Sequence, residues 1–98
     1  MARRRSSSRS SSGRGETVLI SRGVLCTISG ISERQLLLWE HEDLIAPVQV
    51  ERAGGQLEAL YDRQALERVR KIRTLAEELE VNLPGIGVIM NLLDRMER

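Results

Sequence analysis

Residues 21–42 read SRGVLCTISGISERQLLLWEHE, and this stretch predicts two short helices joined by a tight turn. Gly30 suits the residue that ends the first helix, because glycine adopts a positive φ angle without strain. Ser32 and Gln35 have the spacing of a capping box, which predicts that a second helix covers residues 33–42. Two helices of this length, separated by so few residues, have the proportions of a helix-turn-helix.

The rest of the chain predicts a hairpin followed by two longer helices. Residues 48–50 and 57–61 have strand-like composition, and Gly54-Gly55 between them favours a tight turn; residues 17–20 form another short strand-like run. Asp62 and Asn82 are suitable caps for the two helices that follow. The expected core positions are Ala65, Leu66, Val69, Ile72, Ala76 and Leu79 on the first of these helices and Ile86, Ile89, Leu93 and Met96 on the second. The fold class is therefore expected to be mainly α with a small β-hairpin, arranged as a winged helix-turn-helix.

The second helix carries four consecutive apolar residues, Leu36 to Trp39. A helix turns by about 100° per residue, so four consecutive side chains cannot all face one core. Leu36 and Trp39 lie on one side and are the expected core pair, which leaves Leu37 and Leu38 on the opposite side. The other side chains expected around this outward face are Arg34 and His41, with the carboxylates of Glu33, Glu40 and Glu42 at its borders.

In a helix-turn-helix, the outward face of the second helix is the one that meets DNA. Leucine offers no hydrogen bond to a base edge, and glutamates repel phosphates. We therefore interpret these seven residues as a protein-binding surface with an apolar centre and an acidic rim. The alternative is that Leu37 or Leu38 is buried beneath the hairpin or the long helix.

The small net charge of +1 hides a division along the chain. Residues 1–15 contain five arginines and no acidic residue, whereas residues 16–98 have a net charge of −4. We expect residues 1–15 to form a disordered Arg/Ser-rich tail, because it has almost nothing to bury, and residues 16–98 to form one domain. We interpret the tail as a solubilising extension, with a weak contact to nucleic acid as the alternative.

The composition excludes several classes of protein. One cysteine and one histidine cannot form an internal disulfide or a four-ligand zinc site. Neither a glycine-rich phosphate loop nor a nucleophile–base set is recognisable, and no apolar run is long enough to span a membrane. We therefore expect a cytoplasmic, non-enzymatic protein without catalytic residues, metal or other cofactor, in which Cys26 is a packed side chain.

Residues 30–40, 44–47, 61–62 and 81–86 follow one another in the order found in MerR-type winged helices, and the chain resembles that superfamily over residues 17–97. The sequence differs from those DNA-binding regulators at three positions. They typically carry Arg and Tyr where this chain has Leu37 and Leu38, and a wing arginine where it has Ala59. These differences count against DNA binding.

Within the superfamily, the segments Leu83-Pro84-Gly85-Ile86-Gly87-Val88 and Asn91-Leu92-Leu93-Asp94 are similar to the C-terminal pattern of the chaperone modulator CbpM family. That resemblance implies binding to the J-domain of a DnaJ/CbpA-like co-chaperone and inhibition of its action with Hsp70. We identify the same seven residues of the second helix, rather than its expected core pair, as the contact surface for that partner.

The alternative is a MerR/HspR-type DNA-binding transcriptional regulator, because the HspR branch shares the Val-Asn-Leu-x-Gly-Ile pattern of residues 81–86. In that case Arg63, Arg70 and Lys71 are the candidate phosphate contacts. A homodimer is left open, because an apolar seam of Ile89, Leu93 and Met96 provides little more than one heptad.

Overall fold

The computed structural model describes residues 18–97, so the arginine-rich tail of residues 1–15 lies outside the described residues. Helices dominate the described part, and a small three-stranded antiparallel sheet accompanies them. The elements in chain order are β1 (Ile20–Ser21), α1 (Arg22–Ser29), α2 (Glu33–His41), β2 (Gln49–Ala53), β3 (Gln56–Tyr61), α3 (Arg63–Arg73) with a π-helical extension (Thr74–Glu78), and α4 (Leu83–Met96). This order confirms the expected winged helix-turn-helix.

Side-chain caps begin the four α-helices, as their sequences predict. Ser21 accepts a hydrogen bond from the amide of Val24, and Ser32 accepts one from Gln35. The side chains of Asp62 and Asn82 accept the corresponding amide hydrogen bonds at the starts of α3 and α4. Each cap satisfies an amide that the helix itself leaves without a partner, so the helix starts are determined locally.

The wing is the β2–β3 hairpin, and its turn has the geometry that two glycines allow. Gly54 and Gly55 have φ angles of 57° and 82°, as a type I′ turn requires at both central positions. The sheet order is β1-β3-β2, because Ile20 and Ser21 pair with the end of β3. The strand predicted over residues 17–20 is therefore shorter and begins only at Ile20, while Thr17 lies outside the described residues.

The core lies between the helix-turn-helix and the two C-terminal helices. Leu36 and Trp39 of α2 are buried there, as predicted. The remaining buried apolar residues are Leu25, Cys26, Ile31, Leu44, Ile45, Tyr61, Ala65, Val69, Ile72, Ile86 and Met90. Cys26 is a packed side chain in this core, in agreement with the sequence analysis, and burial, followed by the charge of Glu33, raises the pKa of its thiol.

Three predicted core positions lie outside the buried core, one after α3 and two on α4, and each helix gives a geometric cause. Leu79 is 63% exposed, because the regular helix ends at Arg73 and the wider π-helical turn rotates the following residues away from the α3 stripe. On α4 the inward row is Ile86 and Met90, with Leu93 packed beside it. Ile89 is only half-buried and Met96 is 78% exposed, since they lie around the helix from that row.

Candidate functional site

The outward face of α2 is set by the way the helix is anchored. Gly30 takes a φ angle of 75° and reverses the chain after α1, and the Ser32 cap then starts α2. Leu36 and Trp39, 0% and 1% exposed, hold one side of α2 in the core. The side chains on the opposite side of α2 therefore point away from this core, because helical side chains three or four positions apart share a face.

Leu37 and Leu38 are both on this open side, 47% and 44% exposed. Arg34 and His41 are exposed beside them, so the structure brings together the four residues expected at the centre of the face. The alternative that Leu37 or Leu38 is buried beneath the hairpin or α3 is wrong for this chain. Two half-exposed leucines beside a cation form a small amphipathic surface that can contact a macromolecule.

The acidic rim is smaller than the sequence predicts. Glu33 and Glu42 are exposed at the two ends of α2, as expected. Glu40 instead turns inward, where its side chain is only 16% exposed and forms an ion pair with Arg22 at 3.0 Å. Its second carboxylate oxygen accepts a hydrogen bond from the hydroxyl of Tyr61. The interpretation of Glu40 as a rim residue needs correction, because both of its oxygens already have partners within the domain.

This cluster of Arg22, Glu40 and Tyr61 connects α1, α2 and the wing strand β3. The Arg22 Nε group also donates a hydrogen bond to the Tyr61 hydroxyl, at 3.2 Å. Burial and the hydrogen bond to Glu40 together raise the pKa of Tyr61 to about 12. Sequence reasoning missed this cluster, because its members are 18 to 39 positions apart and no local pattern relates them.

The wing carries more negative than positive charge. Glu51 on β2 lies directly opposite Glu58 on β3, and like charges in this cross-strand position repel one another. The side-chain amide of Gln49 donates to Glu51 at 2.9 Å and offsets part of that repulsion. With Arg52 as the third charged residue, the wing has a net charge of −1 and does not attract phosphates.

The three cations proposed on α3 differ in their surroundings. Arg63 and Arg70 are exposed and form no ion pair with another described residue. Lys71 pairs with Glu97 of α4 at 3.1 Å, in an exposed contact that a phosphate could replace. Arg63 and Arg70 are therefore the α3 cations most available to an anionic partner.

A surface cavity of about 340 Å³ lies between α3 and α4. Met90 and Leu93 contribute apolar surface to it, and the ion pair of Arg68 with Asp94, at 2.7 Å, lies along its wall. Among residues 18–97, no cluster of ligating side chains could hold a metal ion. None of the helices described is long and apolar enough to cross a membrane.

Comparison with known proteins agrees with this architecture. The sequence model of the family described as "MerR HTH family regulatory protein" matches residues 20–98, which include every helix and strand. No curated protein matches the chain. Because the family model covers most of its length, the chain belongs to the MerR helix-turn-helix family of regulatory proteins.

Proposed function

We propose that this chain is a DNA-binding transcriptional regulator of the MerR type, cytoplasmic and without enzymatic activity. The observation that supports it is a complete winged helix-turn-helix in which the outward face of α2 is uncovered, in a chain that a family of regulatory proteins matches over residues 20–98. The second helix of this motif reads the major groove in DNA-binding relatives of the fold.

In this proposal, exposed side chains on α2 contact the bases and exposed side chains on α3 contact the phosphates. Arg34 is the one arginine on α2 and can pair with a guanine edge or a phosphate. Leu37 and Leu38 would contribute apolar contacts with thymine methyl groups rather than hydrogen bonds. Arg63 and Arg70 of α3 would contact the backbone phosphates, which fix position without reading sequence.

The test is selection of genomic DNA fragments by the full chain, followed by titration of the enriched duplex. Arg34→Ala should relax sequence preference, whereas Arg63→Ala and Arg70→Ala should weaken binding to every duplex to a similar extent. Arg95→Ala serves as a matched control, because Arg95 is an exposed arginine at the far end of α4. Failure to enrich any sequence above random duplex would contradict the proposal.

A second candidate function is modulation of a chaperone, through binding to the J-domain of a DnaJ/CbpA-like co-chaperone and inhibition of its action with Hsp70. The observation that favours it is the pair Leu37 and Leu38, because exposed leucines flanked by Glu33 and Glu42 suit a partner with an apolar and basic surface. The acidic wing is compatible with such a partner.

Calorimetric titration of the full chain with that J-domain tests this candidate. Leu37→Ala should weaken binding by about 1–3 kcal/mol, as expected for an apolar anchor, without loss of stability. Glu42→Lys should also weaken it, and it is a cleaner choice than a change at Glu40, whose carboxylate serves the domain itself. Absence of binding heat at two temperatures would exclude the candidate.

A further inference from the structure

The polar cluster of Arg22, Glu40 and Tyr61 joins α1, α2 and the end of β3. Glu40 uses both carboxylate oxygens, one for the Arg22 guanidinium at 3.0 Å and the other for the Tyr61 hydroxyl. Tyr61 is completely buried, and the Glu40 side chain is only 16% exposed. Because water has little access to these two groups, it competes weakly for their hydrogen bond.

The cluster lies between the two parts of the surface that the proposed function assigns to DNA. Glu40 is on α2, the helix that carries Arg34 and the exposed leucines. Tyr61 ends β3, and Arg63, the first residue of α3, follows two positions later. Two residues of chain span at most about 7 Å, so a side chain that holds Tyr61 also limits where Arg63 can lie.

The short connection from Tyr61 to Arg63 is itself ordered. Asp62 lies between them and accepts a hydrogen bond from the amide of Ala65 at 3.0 Å, which caps α3. Such a cap fixes the start of a helix relative to the residue before it. Arg63, and Arg70 about two turns further along the helix, are therefore tied to α2 through the hydroxyl of Tyr61.

The bond between Tyr61 and Glu40 restricts orientation in a way that apolar packing does not. Within residues 18–97, no other hydrogen bond joins α2 to β3. A hydrogen bond weakens steeply when its angle departs from linearity, whereas burial of apolar surface is non-directional. The angle between α2 and the start of α3 therefore depends on this one contact more than on the surrounding core.

We infer that Glu40 and Tyr61 are positioning residues for sequence recognition, which set the base-contacting face of α2 relative to the phosphate-contacting arginines of α3. The inference rests on the proposed DNA-binding function. A duplex presents base edges and phosphates at fixed separations, and phosphate contacts set the register in which the bases are read. A binding constellation works when its members are held within about 0.5 Å and 10–20° of the productive geometry.

The experiment uses the full chain and measures its affinity for the enriched duplex and for a random-sequence duplex. The natural protein is compared with Tyr61→Phe, which removes only the hydroxyl, with Glu40→Gln, which removes the carboxylate charge, and with the double variant. We expect each single change to weaken binding to the enriched duplex about tenfold, the size of one good base contact, and binding to the random duplex less than about twofold. The double variant should lose no more than either single variant, because both changes break the same contact.

Two further measurements separate positioning from stability. Residual dipolar couplings of the free protein report the orientation of α2 relative to α3, which should change in both single variants. Ile86→Val is the control, because it shortens a completely buried side chain on α4 and lowers stability without removing a hydrogen bond of the cluster. It should leave the ratio of the two affinities unchanged. Trp39 fluorescence shows that each variant is folded at the temperature of the binding measurement.

An affinity ratio that keeps its natural value in Tyr61→Phe and Glu40→Gln would overturn the inference, even if the dipolar couplings change. An equal fall of the ratio in Ile86→Val would also overturn it, because recognition would then follow stability rather than position. Failure of the proposed function is seen in the natural chain alone, which would bind the two duplexes equally. That result would overturn both proposals, whereas a natural preference that the variants retain overturns only the positioning role.

Discussion

Tyr61 donates its hydroxyl hydrogen to a carboxylate oxygen of Glu40, and this bond joins the end of the wing to the helix that presents the candidate binding face. Arg22 at the start of α1 completes the connection through hydrogen bonds to both residues. The angle between wing and α2 is therefore fixed by side chains that are largely removed from solvent. The wing and the outward face of α2 are therefore held in one orientation relative to each other.

Replacing Glu40 with glutamine should lower the free energy of unfolding by about 1–3 kcal/mol, because it removes a charged partner from Arg22 and Tyr61. Glu42→Gln is the matched control on the same helix. Glu42 is exposed, so its change should stay within about 0.5 kcal/mol. Chemical denaturation followed by the fluorescence of Trp39, the single tryptophan, measures both. Equal effects would mean that the Glu40 contacts add nothing to stability.

The free energy of unfolding should decrease in alkaline solution because of Tyr61. The pKa of this phenol is about 12 in the folded chain, above its ordinary value of 10.0, owing to burial and the hydrogen bond to Glu40. The contribution of this raised pKa to the free energy of unfolding is complete below pH 10 and is lost as the pH rises through about 12. The reason is that the tyrosine of the unfolded chain releases its proton at a lower pH than that of the folded chain.

The tyrosinate absorbance reports this group directly, because the chain contains one tyrosine. Tyr61→Phe should remove that part of the pH dependence while leaving the fold intact. Ionisation of the folded protein near pH 10 would contradict the hydrogen bond to Glu40.

Leu36 and Leu37 are adjacent in sequence but should respond very differently to truncation. Leu36→Ala should cost about 2–5 kcal/mol of stability, because Leu36 is completely buried. Leu37→Ala should cost less than about 1 kcal/mol, since nearly half of that side chain is already in solvent. Thermal unfolding of the two variants tests the assignment of the two faces of α2. Comparable losses would show that Leu37 belongs to the core.

Glu80 occupies a backbone conformation that favours glycine, with a φ angle of 56° just after the π-helical turn. Glu80→Gly should therefore raise the free energy of unfolding by about 0.5–1 kcal/mol. Glu67→Gly in the exposed middle of α3 should lower it by about 1 kcal/mol. Denaturant titration of both variants provides the comparison, and a loss of stability at Glu80 would contradict the backbone conformation described.

Gly30 should tolerate a methyl group less well than Gly55, although both have a positive φ angle. A Cβ atom on Gly30 would lie 2.9 Å from Nη1 of Arg73, which donates to the carbonyl of Ser29 at 2.8 Å. Nothing lies within 4 Å of the same position on Gly55. Gly55→Ala therefore reports backbone strain of about 1–2 kcal/mol, and Gly30→Ala should cost more. Identical losses would mean that the Arg73 contact does not restrict the turn.

Local signals in the sequence were enough to predict most of the elements. Each of these local features depends on residues within three positions of one another, so a short stretch of sequence is enough to predict it. They are the caps at Ser32 and Asp62 and the turn at Gly54-Gly55. The outward position of Leu37 and Leu38 followed from helical rotation alone once the helix was identified.

The features that were missed depend on distant contacts or on a change of helical pitch. The inward turn of Glu40 arises because Arg22 and Tyr61, far away in sequence, offer it better partners than water does. Leu79 departs from its predicted stripe because five residues before it form a π-helix. The spacing of apolar residues in the sequence does not predict such a change of helix type. The centre of the site was therefore predictable, as were Glu33 and Glu42 at its rim, whereas the position of Glu40 was not.

The proposed contact between the outward face of α2 and DNA can be followed residue by residue in an NMR titration of the isotope-labelled full chain with its enriched duplex. We expect the resonances of Arg34, Leu37 and Leu38 to shift together with those of Arg63 and Arg70, while those of exposed Val88 and Leu92 on α4 stay unchanged. Unmoved α2 resonances at saturating duplex would contradict it. If the same α2 resonances shifted only on addition of the J-domain, this surface would belong to a protein partner instead.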